Sequence, residues 1–476
     1  MSTVSVGIVQ DLTVILNNIK SKDESLKELS LNQLTTFLNT NREFVDEIIE
    51  EMCKFLDSEK QSIEQSFFYK IIIKFYSKLE EKNISTIKFI NKIFPMLMVH
   101  IYYYKDYKKN EDNKFYEIIS YFTKKCENNN IGQIEFNLNT VFEKLTDKNN
   151  PPDDINKYAM IRLLGTFLKN APVVCFAKIM ASTDKFKDII LEFKNKDENI
   201  RKVVMDLIKE FLLILFNKDP DVRKNNSLMI YNSCINKYIN QNITDINITI
   251  GVISMMKVFT VSKNGKINEI FKDNYKECLD FLFNGFASEK LIIKLLSIEV
   301  LSDYVEYLTL IMGNEGIDYF DSVLNSFLNA FTKKIDEKIK YEILKALGKM
   351  SRIESLKNTF KSKALFIIGS IRKDFKEFTD KKPLNESILN SFSDFMYFYG
   401  EEFSSIFTFD VYYNIFFKYG LKECHIPFLK RTLEIYKNHP LQFLPINLCV
   451  LNIISYRITG EEFNFKIIYQ KKTFIE

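Results

Sequence analysis

Apolar residues recur at every third or fourth position along most of this chain. The clearest example follows Asp197, where the apolar positions are Ile200, Val204, Leu207, Ile208, Phe211, Leu212 and Leu215. This spacing places one continuous apolar stripe along a single face of an α-helix. Segments with the same pattern, joined by short polar connections, follow one another from residue 11 to residue 458. The pattern therefore predicts a chain of helices in which each helix buries its stripe against its neighbours.

A short motif recurs where several of these helices begin. It consists of an Asp, an aliphatic residue three positions later and a basic residue four positions later. An Asp at this place can accept hydrogen bonds from the unpaired N–H groups of the first helical turn. The copies are Asp23 with Lys27, Asp197 with Arg201, Asp219 with Arg223, and Asp336 with Lys340.

A recurring cap motif combined with helix pairs indicates a repeat protein. Pairs of helices that repeat at roughly 40–47 residues are typical of HEAT repeats, and the chain has room for about eleven of them. Neither helix of a pair can bury its stripe alone, so the pairs must stack. We therefore expect an all-α fold, a HEAT-repeat superhelical solenoid of antiparallel helix pairs.

The strongest interruption of the helical pattern lies at residues 146–154, which have the sequence TDKNNPPDD. Two prolines among turn-forming residues cannot continue a helix. We expect a surface loop here, between an N-terminal HEAT subarray at residues 1–145 and a second subarray at residues 155–460. A polar tail follows at residues 461–476.

Composition supports a helical chain and argues against a nucleic-acid partner. Only 13 Gly and 9 Pro occur among 476 residues, too few to form the turns of many strands. The formal net charge is +4, and Lys and Glu are interleaved along the chain rather than segregated. A nucleic-acid-binding surface needs basic residues concentrated on one face. We expect solvated helical surfaces instead.

Seven Cys are scattered through the sequence with no CxxC pair, and the N-terminal residues lack the basic flank and apolar core of a secretory signal. These features favour a reduced protein in the cytoplasm. The longest apolar runs fall short of the roughly 20 residues that span a bilayer. We therefore expect no membrane span.

The sequence lacks the common motifs of catalytic, cofactor-binding and metal-binding sites. The sequence has no phosphate-binding glycine loop, no kinase motif, no GxSxG and no HExxH. Cys424, His425, His439 and Cys449 lie in one region, but their spacing is not a usual zinc spacing. We expect no catalytic residue, no cofactor and no metal.

The order of several segments resembles a known family. These segments are Leu16–Leu38, Leu163–Phe176 with its Ala-Pro, Asp188–Leu215 with its Ile-Arg, Ile248–Leu301, and Phe416–Ser455 with its Gly-Leu and final Ile-Ser. Together they resemble the N-terminal HEAT solenoid of the TOR (target of rapamycin) serine/threonine protein kinases. The kinase region of that family has no counterpart in this sequence.

The resemblance implies a non-catalytic scaffold for nutrient and growth signalling. Its partners would be TOR-complex subunits such as a Raptor-type adaptor, and possibly a second TOR chain. Whether the chain is a fragment, the product of a split gene or a separate scaffold stays open. The alternative is an importin-type transport adaptor, which would bind cargo on its concave face and favour acidic residues on its inner helices. A phosphatase or proteasome scaffold subunit is a further alternative.

Overall fold

The computed structural model describes the chain in several stretches. They are residues 3–58, 71–77, 114–260 and 269–353, apart from positions 22, 73, 130, 242, 314, 332, 334 and 335. Residues 356, 358, 360, 363, 394 and 430 are described as well. The predicted tail at 461–476 lies outside the described residues. So do Cys424, His425, His439, Cys449 and all of the resembling stretch Phe416–Ser455 except Lys430.

The described residues form helices and turns, without a β-strand among them, which confirms the all-α prediction. Contacts between Cα atoms divide the chain into two compact units, residues 1–263 and 264–476. The helices of the first unit are α1 (Thr3–Ile19), α2 (Glu24–Thr40), α3 (Val45–Ser58), α4 (Lys114–Asn129), α5 (Ile131–Leu145), α6 (Asp154–Asn170), α7 (Pro172–Ala181), α8 (Thr183–Ile190), α9 (Glu198–Leu215), α10 (Pro220–Tyr231), α11 (Lys237–Ile239) and α12 (Ile246–Phe259). Those of the second unit are α13 (Tyr275–Ala287), α14 (Leu291–Met312), α15 (Glu315–Phe331) and α16 (Glu337–Met350).

Each unit is built from helix pairs, and we call the members of a pair its first and second helix. Among the described helices of the first unit, the second helices are α2, α4, α6, α9 and α12. α9 packs against α6 on one side and against α12 on the other. In the second unit the second helices are α14 and α16, and these two also pack together. Stacking of like helices from successive pairs is the arrangement of a HEAT-repeat solenoid.

The apolar stripe of α9 shows why the pairs stack. All seven apolar positions predicted to face inward, from Ile200 to Leu215, are buried. Phe211 contacts two aromatic rings of the first helices, with ring centroids 5.7 Å from Phe176 and 4.9 Å from Phe186. Since α9 is covered by its own first helices and by α6 and α12, its stability depends on three helix pairs at once.

The chain turns between helices where the sequence has breakers. α6 ends at Asn170, Ala171 is its C-cap, and Pro172 is in the first turn of α7, where its missing N–H costs nothing. Between α5 and α6 residues 146–153 are not helical, and they lie inside the first unit. The division into two HEAT subarrays at this loop stays a prediction.

Candidate protein-binding face of the second helices

The four motif aspartates all lie at helix N-termini, where their carboxylates accept backbone hydrogen bonds. Asp23 accepts from the N–H of Ser25 at 2.8 Å, and the distances at the other three caps are 2.8 Å for Asp197, 3.0 Å for Asp219 and 2.8 Å for Asp336. Asp23, Asp197 and Asp336 cap second helices, whereas Asp219 caps α10, a first helix. The four residues therefore do not form one series along the solenoid.

Two further aspartates that cap second helices do not match the sequence motif. Asp153 caps α6 by accepting from the N–H of Asn156 at 2.8 Å, and Asp245 caps α12 by accepting from the N–H of Asn247 at 2.7 Å. The motif missed Asp153 because Asn156 is not aliphatic, and it missed Asp245 because Thr249 is not basic. The signal that finds both is their spacing of about 45 residues from Asp197.

Among the basic motif residues, Arg201 links two successive helix pairs. Its side chain is buried, and Nη1 donates to the carbonyl oxygens of Asn195 at 2.7 Å and Lys196 at 3.0 Å. The same nitrogen lies 3.1 Å from Oδ1 of Asn247, at the start of the next second helix. A buried guanidinium that satisfies two turn carbonyls and reaches the next pair fixes the spacing between α9 and α12.

The other basic motif residues make local contacts. Lys27 pairs with Glu24 one turn away on α2, at 2.6 Å. The Nζ atom of Lys340 lies 5.4 Å from the ring centroid of Phe331 in the same helix pair. Arg223 is half-exposed on α10. The motif residues therefore stabilise the turns of the repeats. A partner-binding surface must be formed by other residues.

An open face with unusual side chains lies along α14. Ile292 is 52% exposed and Leu310 is 57% exposed, and Glu299 and Glu306 lie between them at helical spacing. At roughly 1.5 Å per residue the strip runs for about 27 Å along the helix. We call these four residues the α14 strip. The strip is thus a helix face on which two exposed apolar side chains flank two carboxylates, and both kinds of group are available to a partner protein.

The electrostatics of α14 match this description. Loss of solvent alone raises the pKa of Glu306 above its usual range. Asp303, which lies between the two glutamates, is buried and forms an ion pair with Lys349 of α16. The strip therefore combines two carboxylates with apolar side chains, and a basic, partly apolar segment of another protein would complement both.

The described residues include no group of three or more His, Cys, Asp or Glu that could hold a metal ion. Cys175, Cys234 and Cys278 are buried thiols, and burial raises the pKa of Cys234 to about 12, so this thiol stays protonated and is a poor nucleophile. Within the same part of the chain, no helix has the length and apolar character needed to cross a bilayer.

Comparison with known proteins gives matches among solved structures only. Neither a protein-family model nor a curated protein matches the chain. Yeast importin-β (Kap95p) matches with a TM-score of 0.58 and 13% identity over 94% of this chain and 54% of its own. Kap121p bound to Nup53p matches with a TM-score of 0.55 and 10% identity over 85% and 43% of the two chains.

A structure of Kap95p, whose binding induces the switch loops of RanGDP to adopt the GTP-bound conformation, matches with a TM-score of 0.55 and 12% identity, over 94% of this chain and 55% of its own. The chain thus spans about half the length of the solved structures it matches. At these identities the likeness concerns the fold, and it confirms the HEAT-repeat solenoid.

Proposed function

We propose that this chain is a non-catalytic protein-binding scaffold of the importin type, a transport adaptor that holds a partner protein against its second helices. The observation that carries the proposal is the α14 strip. An importin-type adaptor is expected to have acidic residues on its inner helices, and α14 presents Glu299 and Glu306 beside exposed Ile292 and Leu310. The cytoplasmic location predicted from the sequence is part of this proposal.

The likeness to importin-type solenoids supports the same assignment and suggests which partners to test. Kap121p is bound to Nup53p in one of the matching structures, and Kap95p acts on RanGDP in another. We infer that this chain binds a Ran-type small GTPase and a protein cargo with a basic segment. Binding would be distributed over several helices, as it is on other solenoid surfaces.

A TOR-type scaffold is the second candidate, favoured by the sequence resemblance of segments such as Leu163–Phe176 and Ile248–Leu301. Its partners would be a Raptor-type adaptor or a second TOR chain. This reading offers no reason for the α14 strip, and the matching solved structures that support the proposal are importins. We therefore place it second.

A binding experiment with the full chain immobilised distinguishes the importin-type adaptor from the TOR-type scaffold. The probes are a Ran-type GTPase loaded with a non-hydrolysable GTP analogue, the same GTPase loaded with GDP, and a Raptor-type adaptor. An importin-type adaptor is expected to retain the GTPase in a nucleotide-dependent way. Retention of the adaptor without the GTPase would contradict the proposal and favour the TOR-type scaffold.

The role of the α14 strip is tested by charge reversal. In the variant E299K/E306K we expect a Lys-rich amphipathic peptide to bind at least about tenfold more weakly than it binds the unmodified chain. The matched control is E277K/D280K, which makes the same change of net charge at exposed positions of α13, a first helix. Equal weakening in both variants would show a general charge effect and would remove the strip from the proposal.

A further inference from the structure

The solvent-facing side of α6 and α9 carries mostly positive charge. On α6 this side includes half-exposed Arg162 and exposed Lys169, and on α9 it includes exposed Lys202, Asp206 and Lys209. Because α6 packs along α9, the two rows of side chains are neighbours on one surface of the first unit. The sign of this surface is opposite to that of the α14 strip.

Three of the four cations lie close to Asp206, and the fourth, Lys169, lies two turns along α6 from Arg162. Arg162 and Asp206 occupy equivalent positions in their helices when counted from the caps Asp153 and Asp197. Loss of solvent raises the pKa of Asp206 against the opposing effect of Lys202, Lys209 and Arg162, so these three cations lie close to it.

Helix geometry gives the dimensions of the arrangement. Arg162 and Lys169 are two turns apart, or about 10 Å, and so are Lys202 and Lys209. Packed helices lie roughly 8–10 Å apart. Since Arg162 is level with Asp206, the α6 pair is shifted by four residues, or about 6 Å, from the α9 pair, and the cations stand near the corners of a slanted parallelogram with sides of about 10–12 Å.

One of the four cations is held in place by its own neighbours. The guanidinium of Arg162 lies 4.2 Å from the ring centroid of Tyr116 on α4, and its Nη1 donates to the hydroxyl oxygen of Tyr158 at 3.1 Å. A cation that is already ordered loses less side-chain freedom when a partner binds. The exposed side chains of Lys169 and Lys209 can adjust to the carboxylates of a partner.

We propose that the solvent-facing side of α6 and α9 binds an acidic segment of a partner protein whose carboxylates are spaced about 10 Å apart. In an extended segment, at roughly 3.3 Å per residue, this spacing corresponds to an acidic residue at every third position. The inference goes beyond the proposed function, because it concerns a different surface and does not depend on the α14 strip or on a GTPase.

The position of Asp206 favours an acidic peptide over a nucleic acid. A phosphate backbone carries charge continuously and would bring negative charge next to Asp206, and Glu210 lies one turn further along α9. A peptide with spaced carboxylates can place an uncharged residue at this point. The modest net charge of the whole chain, +4, agrees with a peptide partner.

The test uses the full chain and a fluorescein-labelled peptide that has Glu at every third position and Ala or Ser between. Fluorescence anisotropy should show binding that weakens with added salt. The variant K202E/K209E should bind at least about tenfold more weakly, because two attractive contacts become repulsive. A peptide of the same composition with its Glu residues contiguous should bind less tightly than the spaced one.

The matched control is K185E/K224E, which changes the net charge equally at exposed positions of α8 and α10, both first helices. It should keep binding within about twofold, and circular dichroism should show both variants folded. Unchanged binding in K202E/K209E or an equal loss in the control would overturn the inference. So would displacement of the peptide by a lower concentration of single-stranded RNA. The α14 variant E299K/E306K should still bind the Glu peptide, so each proposal can fail alone.

Discussion

At the scale of single residues, the most consequential contact is made by a buried guanidinium. Arg201 donates to the carbonyl oxygens of Asn195 and Lys196, and its removal leaves both without this donor. We expect Arg201→Met to lower the free energy of unfolding by about 2–3 kcal/mol, since hydrogen bonds from charged donors are the stronger ones. Urea unfolding, compared at equal m value, measures the loss.

The control for this prediction is Arg223→Met, which changes the same motif position on α10. Arg223 is half-exposed, so the expected loss is below about 0.5 kcal/mol. If both variants lost the same stability, the motif position itself would be responsible and the link from Arg201 to Asn247 would have no special weight.

The same residues show what a sequence can and cannot reveal at this scale. A helix cap is local, because the carboxylate of Asp197 accepts a hydrogen bond within its own first turn. A short stretch of sequence is therefore enough to predict the cap. The bond from Arg201 to Asn247 depends on how two helix pairs pack, and no local pattern encodes it. For this reason the four motifs predicted four equivalent basic residues. In the structure, Arg201 contacts the next helix pair, whereas Lys27 and Lys340 contact residues of their own pair.

At the scale of the element, α12 approaches the turn before α9 so closely that one position accepts only glycine. A Cβ atom on Gly251 would lie 2.5 Å from the carbonyl oxygen and 2.7 Å from Cδ2 of Phe193. Replacing a helical Gly by Ala normally stabilises a helix by roughly 0.5–1 kcal/mol. Here we expect Gly251→Ala to destabilise the protein by about 1–3 kcal/mol, because the backbone of Phe193 has to move.

The control is Gly7→Ala on α1, where a Cβ atom meets nothing within 4 Å. Thermal unfolding of the two variants should shift in opposite directions, upward for Gly7→Ala and downward for Gly251→Ala. A stabilised Gly251→Ala would mean that α12 and the Phe193 turn are less closely packed than the structure shows.

Apolar periodicity predicted the elements better than it predicted their irregularities. The stripe of α9 is set by seven side chains in one continuous helix, so its period survives in the sequence. The π-helical turn Asn232–Asn236 between α10 and α11 cannot be recognised in the sequence, because the π geometry of one turn barely disturbs the apolar spacing around it. Its buried residues, Cys234 and Ile235, look like ordinary members of an amphipathic helix.

At the scale of the whole molecule, the same spacing that identifies the fold leaves its function open. Stacked helix pairs with capped turns occur in TOR and importin solenoids alike, because both must bury the same stripes. The residues that distinguish a TOR-type scaffold from an importin-type adaptor are those outside the apolar stripes, such as Glu299 and Glu306 on α14. Their meaning depends on which helix faces are exposed, and this follows from packing along the array.

Polar contacts within each unit repeatedly join a residue to its counterpart one repeat away. Arg201 and Asn247 are 46 residues apart, and the hydrogen-bonded pair Tyr275 and Tyr319 is 44 residues apart. Lys194 and Tyr238 are also separated by 44 residues. Each repeat is thus tied mainly to its nearest neighbours, as expected of a quasi-one-dimensional fold.

This nearest-neighbour organisation predicts that damage stays local. Asp303→Asn removes the charge that Lys349 pairs with, and it should increase amide hydrogen exchange in α14 and α16 while leaving α6 and α9 unchanged. The control is Glu342→Gln, which breaks the exposed pair with Lys345 on α16 and should change exchange little, because such pairs contribute about 0.3–0.5 kcal/mol. An increase of similar size in all helices after Asp303→Asn would instead show that the array unfolds as one cooperative body, and stability could then not be assigned to neighbouring repeats.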